Sequence, residues 1–170
     1  MPVIKHPTQR VGVFIDVQNL YHSAKNIYKG RVNFKEVIKA AKAGRQLVRA
    51  IGYVISTETG EEKGFFEALT KLGIETKEKE LQIFFGGLKK ADWDVAITVD
   101  ALRLAPSLDA VVLCSGDGDF VPLVEQLKSM GKQVEVIAFS KSASSKLKDA
   151  ADDFVDMCQN PKKFVLNIKK

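Results

Sequence analysis

Four aspartates stand at points in the sequence from which folding would bring them together. Asp16 ends a short apolar run, and Asp117 and Asp119 follow another such run, within the turn formed by residues 115–120. Asp94 falls in the first turn of the helix predicted before that second run. Carboxylates gathered in one place repel one another and raise one another's pKa values unless a cation lies between them. Mg²⁺ or Mn²⁺, hard divalent cations with oxygen ligands, are the usual candidates.

A divalent cation held in this way supplies a definite chemistry. It polarises a phosphate group and generates hydroxide from bound water, and two ions about 3.5–4 Å apart stabilise both the attacking and the leaving oxygen. Hydrolysis of a phosphodiester bond fits this arrangement. The two histidines, His6 and His22, do not belong to a Ser/His/Asp or Cys/His pattern, and no GxxxxGK[ST] or GxGxxG motif follows a strand.

The elements that position these aspartates alternate between apolar runs and amphipathic segments, which predicts an α/β fold around a mostly parallel sheet. Strands are predicted at 11–15, 47–55, 109–114, 134–138 and 154–157, with an edge strand or hairpin at 74–85. Helices are predicted at 18–28, 34–41, 65–72, 92–104, 120–130 and 142–151. Because crossover helices run antiparallel to their strands, the four carboxylates should meet at the carboxyl edge of the sheet, where sites of open sheets lie. The helix at 92–104 is apolar around much of its circumference, so we expect it to be largely buried.

Each candidate residue also has a purely structural interpretation. Asp16 can open a turn after its strand, and Asp94 can be stabilised by the dipole of its helix. Asn19 and Asp119 are of types that cap helix N-termini. Asp117 is harder to explain in this way, because the glycines on either side of it already give the turn its freedom. A convergence of all four acids by accident is the weaker interpretation.

Three further residues have two interpretations each. Ser115 can form the turn or hold a water or a carboxylate, and Lys90, after a Gly-Gly loop, can pair with a phosphate or remain solvated. Asp100 lies six residues beyond Asp94, about 9 Å along the helix axis. We therefore place Asp100 outside the immediate site or on a polar face.

Composition limits the class of protein. A chain of 170 residues predicts one domain over 11–158, with a flexible lead-in at 1–10 and a basic tail at 159–170. The net charge of +5 allows a polyanionic partner, although the sequence shows no clear aromatic platform. Two cysteines form no disulfide framework, which favours a reducing, cytoplasmic location. There is no apolar run of about 18 residues to span a membrane, and the polar N-terminus is not a signal peptide.

Three segments of the chain read FIDVQNL (14–20), WDVAITVD (93–100) and SGDGDF (115–120). In this order they resemble motifs of the NYN domain, in particular its bacterial LabA-like branch within the PIN-like nuclease superfamily, and the resemblance extends over residues 11–157. The chain departs from the family pattern at Asp92, where glycine is usual, and at Trp93, where a small apolar residue is usual. Trp93 is interpreted either as a packing residue or as a stacking surface for a base.

The resemblance implies a PIN-like three-layer α/β/α sandwich with a metal-dependent, ribonuclease-type site that uses Mg²⁺ or Mn²⁺. The implied ligands are Asp16, Asp94, Asp117 and Asp119, with Asn19 in support. We therefore predict a cytoplasmic nuclease that hydrolyses RNA in preference to DNA. Substrate contacts are expected from Lys90, Asn19 and Ser115, and the basic tail would steer the nucleic-acid backbone. A homodimer is compatible with the resemblance, since PIN-like single domains often pair.

Two other functions are open at this point. The first is a non-cleaving nucleic-acid-binding or regulatory module that keeps the acidic metal pocket. The second is an aspartyl phosphatase of the haloacid dehalogenase kind, which needs an Asp-x-Asp sequence after the first strand. Gln18 stands two positions beyond Asp16, which disfavours the phosphatase.

Overall fold

The computed structural model describes residues 3–57, 59–80, 82–83, 89–90 and 93–168. The strands are β1 (Arg10–Asp16), β2 (Arg31–Val32), β3 (Gln46–Ser56), β4 (Glu75–Glu80), β5 (Gln82–Ile83), β6 (Lys89–Lys90), β7 (Ala110–Cys114), β8 (Gln133–Ala138), β9 (Asp153–Asp156) and β10 (Val165–Leu166). The helices are α1 (Val17–Tyr28), α2 (Phe34–Lys42), α3 (Lys63–Lys71), α4 (Asp94–Leu104), α5 (Val121–Ser129), α6 (Ser145–Ala150) and α7 (Pro161–Phe164).

Six parallel strands form the central sheet, in the order β4-β3-β1-β7-β8-β9. The chain builds outward from β1 in one direction through β3 and β4, and then in the other direction through β7, β8 and β9. The sheet therefore reverses its order between β1 and β7. In open sheets of this kind, ligands bind beyond the carboxyl ends of the strands at such a switch point.

Helices cover both faces of the sheet, which confirms the predicted α/β/α sandwich. Residues of α1, α2, α3 and α7 pack on one face and residues of α4, α5 and α6 on the other. Alternate residues of β1 enter the two cores, since Val13 and Ile15 face the first set of helices and Phe14 faces the second. Burial on both faces explains why β1 and β7 are continuous apolar runs rather than alternating ones.

Helix α4 is less buried than its composition predicts. Ile97 and Ala101 are fully buried against the sheet, but Val95 is 76% exposed and Val99 is 52% exposed. These two valines are four residues apart and share the stripe of the helix that points away from the sheet. The prediction that this helix is largely buried was therefore wrong, because one helix packed on a sheet buries only one of its faces.

The two ends of the domain are more structured than predicted. The segment expected to be a basic tail forms α7 and β10, β10 pairs antiparallel with β2, and Phe164 and Val165 are buried in the core. These apolar side chains anchor the lysine-rich segment around them. Within the predicted lead-in, Lys5 forms ion pairs with Glu135 at 3.7 Å and with Asp153 at 3.0 Å.

The region 74–85, predicted as an edge strand or hairpin, contains the edge strand β4 and the first strand of a hairpin, β5, whose partner β6 lies beyond it. Strand β4 pairs parallel to β3 and forms one edge of the sheet, and β5 pairs antiparallel with β6. Across the described part of the chain, no helix is long and apolar enough to cross a membrane.

Candidate metal centre

Three of the four predicted aspartates form a compact group at the carboxyl edge of the sheet. Asp94 begins α4, and Asp117 and Asp119 lie in the turn after β7. One carboxylate oxygen from each residue lies within 4.8 Å of the other two. Asp94 and the turn that carries Asp117 and Asp119 are more than twenty residues apart in the sequence, yet they place three carboxylates close together.

The donor set and its spacing fit a hard divalent cation. Ligands around octahedral Mg²⁺ lie about 2.0–2.1 Å from the ion, which separates two ligand oxygens by about 3 Å or 4 Å. Oxygens already within 4.8 Å of one another need small side-chain rotations to reach that arrangement. Asp94 and Asp117 are half-buried and Asp119 is exposed, so the group is open to water and to a ligand.

Asp16 lies outside this group of three oxygens, in a more buried position at the end of β1. Its side chain is 7% exposed, and its Oδ1 accepts a 3.3 Å hydrogen bond from the backbone N–H of Asn19, which caps α1. Its Oδ2 accepts a 3.1 Å hydrogen bond from the hydroxyl of Ser115. The same hydroxyl accepts a hydrogen bond from the backbone N–H of Asp117 at 3.2 Å. Ser115 therefore connects Asp16 to the turn that carries Asp117.

Asn19 makes a second connection between α1 and this turn. Its side-chain Oδ1 accepts a 2.9 Å hydrogen bond from the backbone N–H of Gly116. Sequence reasoning placed Asn19 and Ser115 among the substrate contacts, but the structure gives both side chains internal partners, and Ser115 is fully buried. Their hydrogen bonds connect this turn to Asp16 and to α1, and the substrate contacts remain predictions.

The helix caps also differ from those considered from the sequence. Asp16, not Asn19, caps α1. Asp117, not Asp119, accepts the capping hydrogen bond of the short 3-10 turn Gly118–Phe120, from the backbone N–H of Asp119 at 2.9 Å. Asp119 is the exposed member of the acidic group.

Trp93, immediately before α4, is a packing residue. Its indole N–H donates to the carbonyl oxygen of Val54 at 3.1 Å, and its ring lies 5.4 Å from that of Tyr53. The ammonium group of Lys79 lies 5.3 Å from the centre of the indole. These contacts fix the start of α4 against β3, and therefore the position of Asp94.

Asp100 belongs to a separate buried network on the same helix. It accepts hydrogen bonds of 2.7 Å each from the hydroxyl of Tyr53, the ammonium group of Lys77 and the guanidinium group of Arg103. Burial alone would raise the pKa of Asp100, but the hydrogen bonds from Lys77 and Tyr53 outweigh it and lower the pKa below its ordinary value. This network ties α4 to β3 and β4. Sequence reasoning missed its partners, although a tyrosine inside the apolar run 47–55 was a usable signal.

Lys90 is the remaining predicted site residue. Its backbone lies in β6, and its side chain lies outside the described residues. Asp92, with which the predicted helix 92–104 begins, also lies outside them. The structure therefore leaves both as predictions.

Comparison with known proteins fixes the family. The sequence profile of the NYN domain matches residues 10–158. The chain belongs to the NYN domain family. The resemblance to the NYN domain is thereby confirmed, and residues 10–158 include the acidic group described above. NYN and PIN-like nucleases generally use divalent metal ions, in agreement with this donor set.

Individual proteins similar to this NYN domain come from three different organisms. It is 27% identical to the low amplitude and bright protein LabA of Synechococcus elongatus, over 87% of this chain and 83% of LabA. It is 28% identical to the uncharacterized protein MJ0482 of Methanocaldococcus jannaschii, over 84% of this chain, and spans about half (53%) of that protein. A crystal structure of VPA0982 from Vibrio parahaemolyticus, a protein of unknown function, superposes with a TM-score of 0.86 and 32% identity, covering 96% of this chain and 100% of that one.

Proposed function

We propose that this NYN domain is a nuclease that hydrolyses phosphodiester bonds of RNA with the help of Mg²⁺ or Mn²⁺. The observation that supports the proposal is the convergence of Asp94, Asp117 and Asp119 in an open group at the switch point of the sheet. When bound there, a divalent ion would supply charge neutralisation for the phosphate and an activated water. Membership of the NYN family, a family of PIN-like nucleases, supports a nuclease role.

We assign two roles to the protein's own residues: some bind the ion, and others hold the ligands in position. We assign Asp94, Asp117 and Asp119 as ligands and Asp16 as the buried acidic neighbour that completes the site. Ser115 and Asn19 fix the turn that carries Asp117 through their hydrogen bonds to Asp16 and from Gly116. The exposed side of the group, at Asp119, is where the phosphodiester would enter.

The assignment of RNA as the substrate rests on the family and on charge. A net charge of +5 favours a polyanion, and phosphate contacts from lysines would be independent of base sequence and sensitive to salt. We keep Lys90 as a proposed phosphate contact. The two free cysteines suit a reducing compartment, so we propose that the protein acts in the cytoplasm.

The test is cleavage of an end-labelled single-stranded RNA, and of a DNA of the same sequence, during a titration with Mg²⁺ or Mn²⁺. We expect metal-dependent cleavage of the RNA that Asp117→Asn reduces by roughly 100-fold or more, since even residues behind metal ligands cost 10–100-fold. Glu125→Gln is the matched control, because Glu125 is an exposed acid on α5, outside the acidic group. RNA binding without metal-dependent cleavage would overturn the proposal and identify a non-cleaving module.

A further inference from the structure

Two adjoining clefts lie on the face of the domain that carries α1 and α3. The smaller has a volume of about 250 Å³ and begins at Val17 and Gln18, the residues directly after Asp16. The larger, of about 620 Å³, continues toward β2 and α2. Tyr21, Glu62 and Phe65 line both clefts. The two clefts therefore form one groove, the aromatic groove, which leads away from the buried carboxylate of Asp16.

Two half-exposed aromatic rings form the wall of this groove. The side chain of Tyr21 is 41% exposed and that of Phe65 is 39% exposed. The ring of Phe65 packs beside those of Phe34 and Phe66, with ring centres 5.7 Å and 6.0 Å away. The ammonium group of Lys25 lies 5.9 Å from the centre of the Tyr21 ring. Exposed aromatic rings are the usual stacking platforms for unpaired bases. The platform was not visible in the sequence, because Tyr21 and Phe65 come from different helices.

The charges along the aromatic groove indicate which part of it suits a base and which part suits a phosphate. Glu62 accepts a 2.6 Å hydrogen bond from the hydroxyl of Thr57, which holds the pKa of Glu62 below its ordinary value. Next to the stacking rings there is thus a fixed negative charge, which repels phosphate and accepts hydrogen bonds from amino groups. Farther out, the larger cleft is lined by Arg31 and Lys35, together with the acidic Glu61. The two cations suit phosphates at the outer end of the groove.

We propose that the aromatic groove binds unpaired nucleotides that flank the scissile phosphate, with a base stacked on Tyr21 and Phe65 and its amino group donating to Glu62. The occupant is thus a single-stranded stretch of nucleic acid. The proposal rests on the proposed nuclease function, because the groove begins at Val17 and Gln18, which directly follow Asp16 in the sequence. Bases with an exocyclic amino group, such as adenine and cytosine, bind more tightly than uracil.

The test is the binding of fluorescent oligo(A), oligo(C) and oligo(U) of about ten nucleotides, a length within the range of single-strand binding sites. Binding is followed by fluorescence anisotropy in the Asp117→Asn background, which prevents cleavage. We expect Tyr21→Ala and Phe65→Ala each to raise the Kd about 10-fold, within the effect of losing one base–aromatic stack. Tyr21→Phe keeps the ring and should restore the original Kd. Glu62→Gln should narrow the difference between oligo(C) and oligo(U).

The matched control is Met130→Ala, since Met130 is also 39% exposed but follows the C-terminus of α5. Thermal unfolding of each variant separates a lost contact from a lost fold, and the comparison of Tyr21→Phe with Tyr21→Ala stays informative if Phe65→Ala does not fold. An unchanged Kd for Tyr21→Ala, or an equal change for Met130→Ala, overturns the groove. A protein that cleaves RNA with an unchanged KM in Tyr21→Ala refutes the groove alone. A protein that binds through Tyr21 but does not cleave refutes the nuclease function alone.

Discussion

The hydroxyl of Ser115 donates a 3.1 Å hydrogen bond to Oδ2 of Asp16, which lies 99 residues earlier in the chain. The hydroxyl oxygen of Ser115 also accepts a 3.2 Å hydrogen bond from the backbone N–H of Asp117. One buried side chain thus links the end of β1 to the turn after β7, on either side of the switch point of the sheet. Asp94 begins α4, whereas Asp117 lies in the turn after β7. The distance between their carboxylates therefore depends on the link that holds this turn.

Replacement of Ser115 tests the link directly. Ser115→Ala removes a donor from buried Asp16 and an acceptor from the N–H of Asp117, so we expect a loss of about 1–3 kcal/mol in the free energy of unfolding. Affinity for Mn²⁺ should fall roughly 10-fold or more, as for other residues that orient metal ligands. Urea denaturation and a Mn²⁺ titration measure the two effects. Ser129→Ala, at an exposed serine on α5, should change neither, and a Ser115→Ala protein that matched it would disprove the link.

The turn after β7 leaves little room for a side chain at Gly116. A Cβ atom there would lie 3.0 Å from both Cα and Cβ of Ala143, in the loop before α6. Gly116→Ala should therefore displace the turn, lower the free energy of unfolding by about 1–3 kcal/mol and weaken Mn²⁺ binding. Gly64 in α3 has open space around it, so Gly64→Ala should be neutral or stabilising by up to about 1 kcal/mol. Equal unfolding midpoints for the two variants would contradict this account.

The buried network around Asp100 should influence the site through α4. Asp100→Ala leaves the hydroxyl of buried Tyr53 and the ammonium group of Lys77 without their shared acceptor, which should cost about 2–3 kcal/mol of stability. Because α4 also carries Asp94, affinity for Mn²⁺ should fall, even though Asp100 lies outside the group of three oxygens. Chemical denaturation and metal titration of the variant, beside Glu125→Ala as an exposed acid, provide the measurement. Unchanged metal affinity in a destabilised Asp100→Ala protein would show that the network is structural alone.

The pair formed by Arg10 and Asp109 predicts how stability depends on acid. Hydrogen bonds from the side chain and backbone of Arg10 lower the pKa of Asp109 from 3.8 to about 2. The folded state thus releases this proton more readily than the unfolded state, so the pair stabilises the protein above about pH 3.8. That contribution is lost as the pH falls from 3.8 toward 2. The difference in unfolding free energy between the wild type and Asp109→Asn, measured in urea, should be constant near neutrality and shrink over that interval; growth on acidification would contradict the assignment.

Local patterns predicted the elements that carry the site. β1 and β7 were recognisable because each is apolar on both faces and stops at an acidic or glycine-containing turn. Helix α4 was predicted at 92–104 and is observed at Asp94–Leu104, so Asp94 lies in its first turn as expected. Parallel pairing then brings the ends of β1 and β7 and the beginning of α4 to one edge of the sheet.

Long-range contacts could not be predicted from the same patterns. The hydrogen bond between Asn19 and Gly116 joins residues 97 positions apart, and each alone resembles an ordinary cap or turn residue. Val95 and Val99 look like core residues by type, and their exposure follows from which face of α4 meets the sheet. Phe164 and Val165 lie in a lysine-rich segment, which by composition looks exposed. Their burial depends on packing against elements that are distant in the sequence.

The central claim is that Asp94, Asp117 and Asp119 together hold a divalent cation. Isothermal titration of Mn²⁺ into the wild type, Asp117→Asn and Glu125→Gln tests it without requiring a substrate. We predict saturable binding to the wild type and to Glu125→Gln, and its loss in Asp117→Asn. An absence of saturable binding to the wild type at millimolar Mn²⁺, or equal affinity in Asp117→Asn, would contradict the account.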